Sequence, residues 1–353
     1  MNPQQIDDIL SGRSGDLSAR TLRLATSVAE PFYYLGQQIH QGMYRWGLKK
    51  SEALSVPVIS IGNLTTGGTG KTPITAMLVK LLQEQGRHPG IASRGYHALD
   101  DETNQPKEND EHRVLEILCP NVPHQQNRDR VRAGRDLVEL GADVILLDDG
   151  LQHLRLQRDL NLVVIDALNP FGYEHLLPRG LLREPIRALK RADLIMITRV
   201  DLIPAEQLDQ LKERIHQQCH VPIIPVQFAP TSWLAGDQQR LSLEERFPES
   251  IICCGIGNPA GFLRTLSRIG IESREDKFRI YPDHHHYSSQ DAEELARLAR
   301  EGESKTILTT LKDYVKLNPL LPPDVRCLAL MIEAQIPTGA DELKQILNEM
   351  LKR

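Results

Sequence analysis

The chain has 353 residues, enough for two or three domains, with 40% hydrophobic and 25% charged residues, an ordinary globular composition. Its five cysteines (Cys119, Cys219, Cys253, Cys254, Cys327) are odd in number and scattered without a C-x-x-C, which excludes a disulfide framework or a cysteine zinc site and fits a reducing cytosol. A net charge of −5 gives a nucleic-acid partner no support, no apolar run approaches the roughly 20 residues that span a bilayer, and the polar, acidic start reads as no signal peptide.

Residues 1–30 are polar with a weak helical pattern. From Pro31 to Lys50, a helix would gather Phe32, Leu35, Ile39, Met43 and Trp46 on one face, with Arg45, Lys49 and Lys50 at its tip. Apolar on one side and basic at the end is the profile of a helix lying on a membrane surface. A helix docked on its own domain is the plainer alternative, its basic residues serving the helix C-terminus.

Next comes Val58-Ile59-Ser60-Ile61-Gly62, a β-branched run that ends in a glycine-rich loop. The loop carries Thr65, Gly67, Gly68, Thr69 and Gly70, then Lys71-Thr72-Pro73, and Ile74, Met77, Leu78, Leu81 and Leu82 follow at helical spacing. Strand, glycine loop, Lys-Thr and helix form the phosphate-binding P-loop arrangement. Glycines let backbone N–H groups converge on phosphate oxygens, and the helix N-terminus adds partial positive charge. Lys71 can reach the β- and γ-phosphates, and the Thr72 hydroxyl can ligate Mg²⁺. The strict pattern has glycine where this chain has Thr65. A tight glycine turn without ligand is the competing reading.

A second strand is expected from His88 to Ser93, ending in Ser93-Arg94-Gly95-Tyr96, and residues 98–112 read as a long acidic loop. Arg128-Asp129-Arg130 opens a helix to about Leu140. The strand after Asp143 ends in Asp148-Asp149-Gly150, with Gln152 and His153 just beyond. Carboxylates at such a strand end are the usual Mg²⁺-holding partners of a P-loop, and a helix N-cap is the alternative. Further strands are expected at Leu162–Asp166, Asp193–Thr198 and 222–226, with helices at 186–191 and 204–218. Thr198-Arg199-Val200-Asp201 faintly echoes a guanine-reading loop but reads equally as a strand-to-helix turn.

Residues 228–247 break the rhythm and read as a linker or hairpin. A second alternation follows, with strands near 249–254, 276–281, 305–309 and 326–331, and helices near 258–269, 289–301 and 340–352. Two α/β lobes with a cleft between them are expected. Gly255-Ile256-Gly257-Asn258-Pro259 is either an anion-binding turn or a helix cap. In Asp283-His284-His285-His286, adjacent extended residues point to opposite sides, so three in a row do not suit one metal ion. Either this is a polar turn or one histidine acts as a catalytic group.

Together these motifs resemble the tetraacyldisaccharide 4′-kinases, the lipid A 4′-kinases of Gram-negative bacteria. The resemblance rests on Gly62-Asn63 with Gly67–Pro73, Ser93–Tyr96, Asp148-Asp149-Gly150-Leu151-Gln152-His153, Leu182-Arg183-Glu184-Pro185 and Asp283-His284, and Thr65 itself is shared with the family's loop. It implies transfer of the ATP γ-phosphate to the 4′-hydroxyl of a lipid-linked glucosamine disaccharide 1-phosphate, at the cytosolic face of the inner membrane. The N-terminal segment then becomes a peripheral membrane contact, and no obligate protein partner or nucleic acid is implied. The family's aspartate in Gly-Asp-Glu-Pro maps onto Asp110 of Asn109-Asp110-Glu111-His112, where the flanking Gly and Pro are absent. Its Asp-His motif maps onto His284. The resemblance so assigns Lys71, Asp110 and His284 to catalysis, Thr65, Gly67, Gly68, Thr69, Gly70, Lys71 and Thr72 to ATP, and Thr72, Asp148 and Asp149 to Mg²⁺, with Gln152 and Glu184 as lesser metal candidates. Arg94 and Arg183 are candidates for the substrate's 1-phosphate, which a guanidinium fork suits, with ordinary ion pairs as an equal alternative. The expected fold is α/β: a P-loop NTPase-type parallel sheet domain (51–227) after an amphipathic segment (1–50), then a linker or hairpin and a smaller α/β domain (228–353). A P-loop switch NTPase that drives a partner, or a non-catalytic nucleotide-binding module, are the rival readings.

Overall fold

A computed structural model describes residues 3–95, 110–272 and 274–352. Tyr96 and residues 98–109 of the expected acidic loop therefore lie outside the described residues. In chain order the elements are α1 (Pro3–Ser11), α2 (Leu17–Arg45), β1 (Val58–Gly62), α3 (Lys71–Glu84), β2 (Pro89–Ser93), α4 (Asp110–Leu118), β3 (His124–Gln126), α5 (Arg130–Glu139), β4 (Val144–Asp148), β5 (Leu160–Asp166), β6 (Leu194–Thr198), α6 (Ala205–His216) and β7 (Ile223–Leu234). Then follow β8 (Arg240–Leu241), β9 (Ile251–Cys254), α7 (Pro259–Arg268), β10 (Phe278–Ile280), α8 (Ser289–Arg300), β11 (Thr306–Thr310), α9 (Leu311–Leu317), β12 (Arg326–Gln335) and α10 (Ala340–Leu351).

The chain forms two compact units. One holds the described residues up to 95, Cys119–Phe228 and the stretch from Ala334; the other holds residues 110–118 and Ala229–Glu333. Two placements differ from the sequence reading. The C-terminal helix α10 belongs to the first unit, and α4, with Asp110, belongs to the second. Alternation of strand and helix says nothing about which sheet a helix will cover.

In the first unit the strands run in the order β3-β2-β4-β1-β5-β6-β7, all parallel. β1, β2, β4 and β6 are buried along their whole length, which matches their uninterrupted apolar runs. Val58, Ala92, Val131, Leu137, Ile145 and Leu147 pack on one side. On the other, Leu64, Val163, Ile165, Leu189, Ile195 and Ile215 form a second cluster. Residues 186–191 form a 3-10 turn, Ile186–Arg191, where a helix was expected.

Helix α2 starts at an Asp16 cap and continues through Pro31. It docks on the first unit through polar groups and through Tyr33 and Tyr34, which pack against the second cluster. The Tyr33 hydroxyl donates to the Arg183 carbonyl at 3.0 Å. The Leu176 N–H donates to Glu30 at 2.7 Å, and Gln41 donates to the buried Glu184. The apolar side is left outward: Phe32 is 73%, Leu35 56%, Ile39 52% and Trp46 72% exposed, with Met43 half-buried. The helix does dock on its own domain, as one of the two readings had it, but the residues named for its apolar face are not the ones that make the contact.

In the second unit β10, β9, β11 and β12 run parallel. β7 continues to Leu234 and turns back into β8, so the expected linker is a strand plus a hairpin. Trp233 and Leu234, fully buried, are what carry the strand onward. Ile251, Cys253, Leu295, Ile307, Tyr314 and Ala329 form one core cluster, and Trp233, Ile252, Leu266, Leu308 and Leu328 the other. The short helix α9 went unforeseen.

Candidate active site

Parallel β1 and β4 are neighbours, with Ile61 opposite Asp148, so the glycine loop after β1 and the acidic turn after β4 emerge at the same carboxyl edge. There the backbones touch. The Gly150 N–H donates to the Ile61 carbonyl at 3.1 Å. A Cβ on Gly62 would stand 2.5 Å from Leu151 Cβ and 2.7 Å from its backbone nitrogen. Only glycine permits that approach.

The loop then turns into α3 through Gly70, whose φ of +90° is left-handed and whose Cβ would meet the Phe228 ring. The loop is braced from three sides. The Asn63 side-chain amide donates to the Thr65 carbonyl at 2.7 Å, and Gln152 donates to the Asn63 carbonyl at 3.1 Å. Buried Thr65 pairs in bridge geometry with Leu182. The Thr198 hydroxyl donates to the Thr69 carbonyl at 2.8 Å, and Arg199 donates to the Gly68 carbonyl at 2.9 Å while pairing with Asp166. Burial raises the Asp166 pKa above the ordinary carboxylate value, with Arg199 pulling the other way. Thr198 thus holds the loop. Buried Thr69 keeps its own hydroxyl oxygen without a hydrogen-bond partner.

Lys71 is the first residue of α3. Its ammonium donates to Asn63 Oδ1 at 2.9 Å and stands 3.4 Å from Asp149 Oδ1. Asp149, at a left-handed φ of 52°, offers its other oxygen to Arg183 at 2.6 Å. Burial pushes the Asp149 carboxyl up, but Lys71 and Arg183 together bring it below the usual range, so it is ionised. Asp148 is buried at the end of β4, and Thr72 follows Lys71 in the first turn of α3. Hydroxyl and carboxylate oxygens are the hard donors that suit Mg²⁺. Among the described residues no group of three or more His, Cys, Asp and Glu forms a metal cluster.

Of the remaining candidates, Arg94 is exposed past the end of β2. Arg183 lies beside Asp149 in an ion pair, the alternative weighed against a contact with the substrate's 1-phosphate. Gln152 braces the loop, and Glu184 pairs with Arg191 at 2.6 Å and receives Gln41. His153 is driven down to a pKa of about 4, by burial first and then by Arg130 and Arg158, and is neutral at pH 7.

The second unit carries Asp110 and His284. Asp110 opens α4, not a loop, and its Oδ2 lies 3.4 Å from Lys316. His284 is exposed, at a left-handed φ of 59°, with its N–H directed to the Gly255 carbonyl and to Asp283. His285 is the histidine built into the fold, stacked on Tyr281 and 3.2 Å from Asp291. Asn258 accepts the Gly261 N–H at 2.9 Å, which makes that turn a helix cap.

A parallel sheet with a strand–glycine loop–Lys-Thr–helix element and carboxylates on the neighbouring strand defines a P-loop phosphate-binding domain of the kinase and NTPase class. Residues 22–352 match the family described as tetraacyldisaccharide-1-P 4′-kinase, and the chain belongs to that family. It is 34% identical over 340 residues to a tetraacyldisaccharide 4′-kinase of an Anaeromyxobacter species (strain Fw109-5), covering 92% of this chain and 91% of that one. The corresponding protein of Syntrophus aciditrophicus is 35% identical over 351 residues, with 93% of each covered. Among solved structures, the "apo" form of LpxK from Aquifex aeolicus in complex with ATP superposes with a TM-score of 0.72 at 28% identity, covering 94% of this chain and 99% of that one.

Proposed function

We propose that this chain carries out the reaction its family is described by, transferring the γ-phosphate of ATP to the 4′-hydroxyl of a tetraacyldisaccharide 1-phosphate in lipid A biosynthesis. The observation that carries this reading is Lys71 held between Asn63 and Asp149 where α3 begins, beside the carboxylates that end β4. Lys71 and the amides of residues 67–72 bind the triphosphate, and the helix start favours its charge. Thr72 with Asp148 or Asp149 would hold Mg²⁺, which supplies charge neutralisation on the phosphates. Asp110 accepts the proton of the attacking sugar hydroxyl, with His284 as its partner. The new bond joins the 4′-oxygen to the γ-phosphorus, the bond from that phosphorus to the ADP oxygen breaks, and the proton rests on Asp110. Positioning and charge dominate such transfers, so the base is a smaller contribution than Lys71.

Since the lipid acceptor resides in a bilayer, the outward apolar side of α2 serves as the membrane contact. No helix among the described residues is long and apolar enough to cross a membrane; the attachment proposed for α2 is peripheral, at the cytosolic face of the inner membrane. Incubation with Mg-ATP and the lipid disaccharide 1-phosphate should give labelled 4′-phosphate. Hydrolysis of ATP with no transfer to the lipid would return the switch-NTPase reading. Vesicle co-sedimentation should fall at least fivefold, an order-of-magnitude expectation, for Phe32→Glu/Ile39→Glu.

A further inference from the structure

Lys316 is a deeply placed cation that the reaction above leaves unused. It lies on α9 with a side chain only 9% exposed, 3.4 Å from Asp110 Oδ2 and 3.8 Å from Asp313 Oδ1, and 5.7 Å from the centre of the Tyr287 ring. A buried ammonium is costly unless a carboxylate meets it. Two do, and they differ. Asp313 is fully buried, accepts the Tyr287 hydroxyl at 3.1 Å on Oδ1 and the Thr310 hydroxyl at 2.6 Å on Oδ2. Both of its oxygens are taken by the fold. Asp110 is partly open to solvent, and the Lys316 ammonium approaches it from the Oδ2 side. Arg113, one turn along α4, donates to the Val315 carbonyl and so ties the two helices together beside this pair.

We infer that Lys316 is a positioning residue for the kinase reaction: anchored by Asp313 and roofed by Tyr287, it fixes the carboxylate of Asp110 in the orientation that receives the sugar proton. This rests on Asp110 being the base. It accounts for how Asp110 can be held rigidly at the start of α4 without the Gly and Pro that flank the family's aspartate.

The test is a double-mutant cycle on the full-length protein with saturating lipid acceptor, with folding checked by thermal unfolding. Asp110→Asn should lower kcat a hundredfold or more, an order-of-magnitude expectation. Lys316→Met should lower kcat roughly tenfold to a hundredfold with KM for ATP unchanged within about twofold, and Lys316→Arg should recover part of that loss. In the Asp110→Asn background, Lys316→Met should cost nothing further, because two residues acting as one unit do not add. Unchanged kcat in Asp110→Asn removes the base assignment and this inference with it. A full loss in Asp110→Asn beside wild-type kcat in Lys316→Met, or an equal fold-loss from Lys316→Met in both backgrounds, overturns the positioning role alone. Should Lys316→Met not fold, the same cycle is read with Lys316→Arg, whose smaller loss must likewise vanish when Asp110 is Asn; its persistence overturns the inference.

Discussion

Adding one methyl at Gly62 should disable the phosphate end of the first unit without touching a charged group. Its Cβ would sit 2.5 Å from Leu151 Cβ and 2.7 Å from Leu151 N, whereas ordinary contact begins near 3.4 Å. The obstacle is backbone, held by the Gly150 N–H on the Ile61 carbonyl, so β1 and the turn after β4 must separate by about 1 Å. Overpacking of this kind costs on the order of 2–3 kcal/mol, which for a unit of this size lowers Tm by roughly 4–10 °C. The same displacement moves Lys71 relative to Asp149 and Asp148, and a 1 Å misplacement of reacting groups costs about a hundredfold in rate. Gly62→Ala should therefore show both losses, by differential scanning fluorimetry and by phosphate incorporation at saturating ATP. Gly68→Ala is the control, because a Cβ there meets nothing within 4 Å and φ is not positive. Its Tm should stay within about 1 °C, as for an innocuous substitution. Wild-type Tm and kcat in Gly62→Ala would refute the claim that the two backbones must touch.

Three other outcomes are expected. Lys71→Met should lower kcat by about a thousandfold or more, measured by phosphate incorporation, since an uncharged chain cannot neutralise the transferring group. The Asp149 carboxyl is held below its ordinary value, so its contribution to stability is complete above about pH 5 and is lost as pH falls through the lower folded value; the gap in urea midpoint between wild type and Asp149→Asn should be steady from pH 7 to about 5 and then narrow. His153 is depressed from 6.5 to about 4, so as pH falls the unfolded chain takes up its proton first and stability declines through that window. His153→Gln should flatten the urea midpoint between pH 6.5 and 4 relative to wild type, and an unaltered slope would count against a buried neutral imidazole.

The phosphate end was legible because its signals are local. An apolar run, a glycine loop, Lys71-Thr72 and a helical stripe are contiguous, and Asp148-Asp149 terminate a run that can only be a buried strand. What escaped depends on partners distant in sequence. Nothing near Asp110 announces Lys316, which lies on the unforeseen seven-residue helix α9. Periodicity showed that α2 has two faces but not which one docks; that was decided by Tyr33 and Gln41 reaching Arg183 and Glu184. The run from Phe228 to Ala235 looked like a break because Pro230 and the following Gly236 are turn residues, yet Trp233 and Leu234 keep the strand going. Among the three histidines, burial picked out His285 as the one integrated into the fold, a distinction adjacent identical residues do not reveal.

The way α2 is fastened has a mechanical corollary. Tyr33 grips the main chain of Arg183, and the side chain of Arg183 grips Asp149 next to Lys71. The exposed helix is therefore coupled, through one amino acid, to the carboxylate beside the loop lysine, so a shift of α2 would be felt at Asp149.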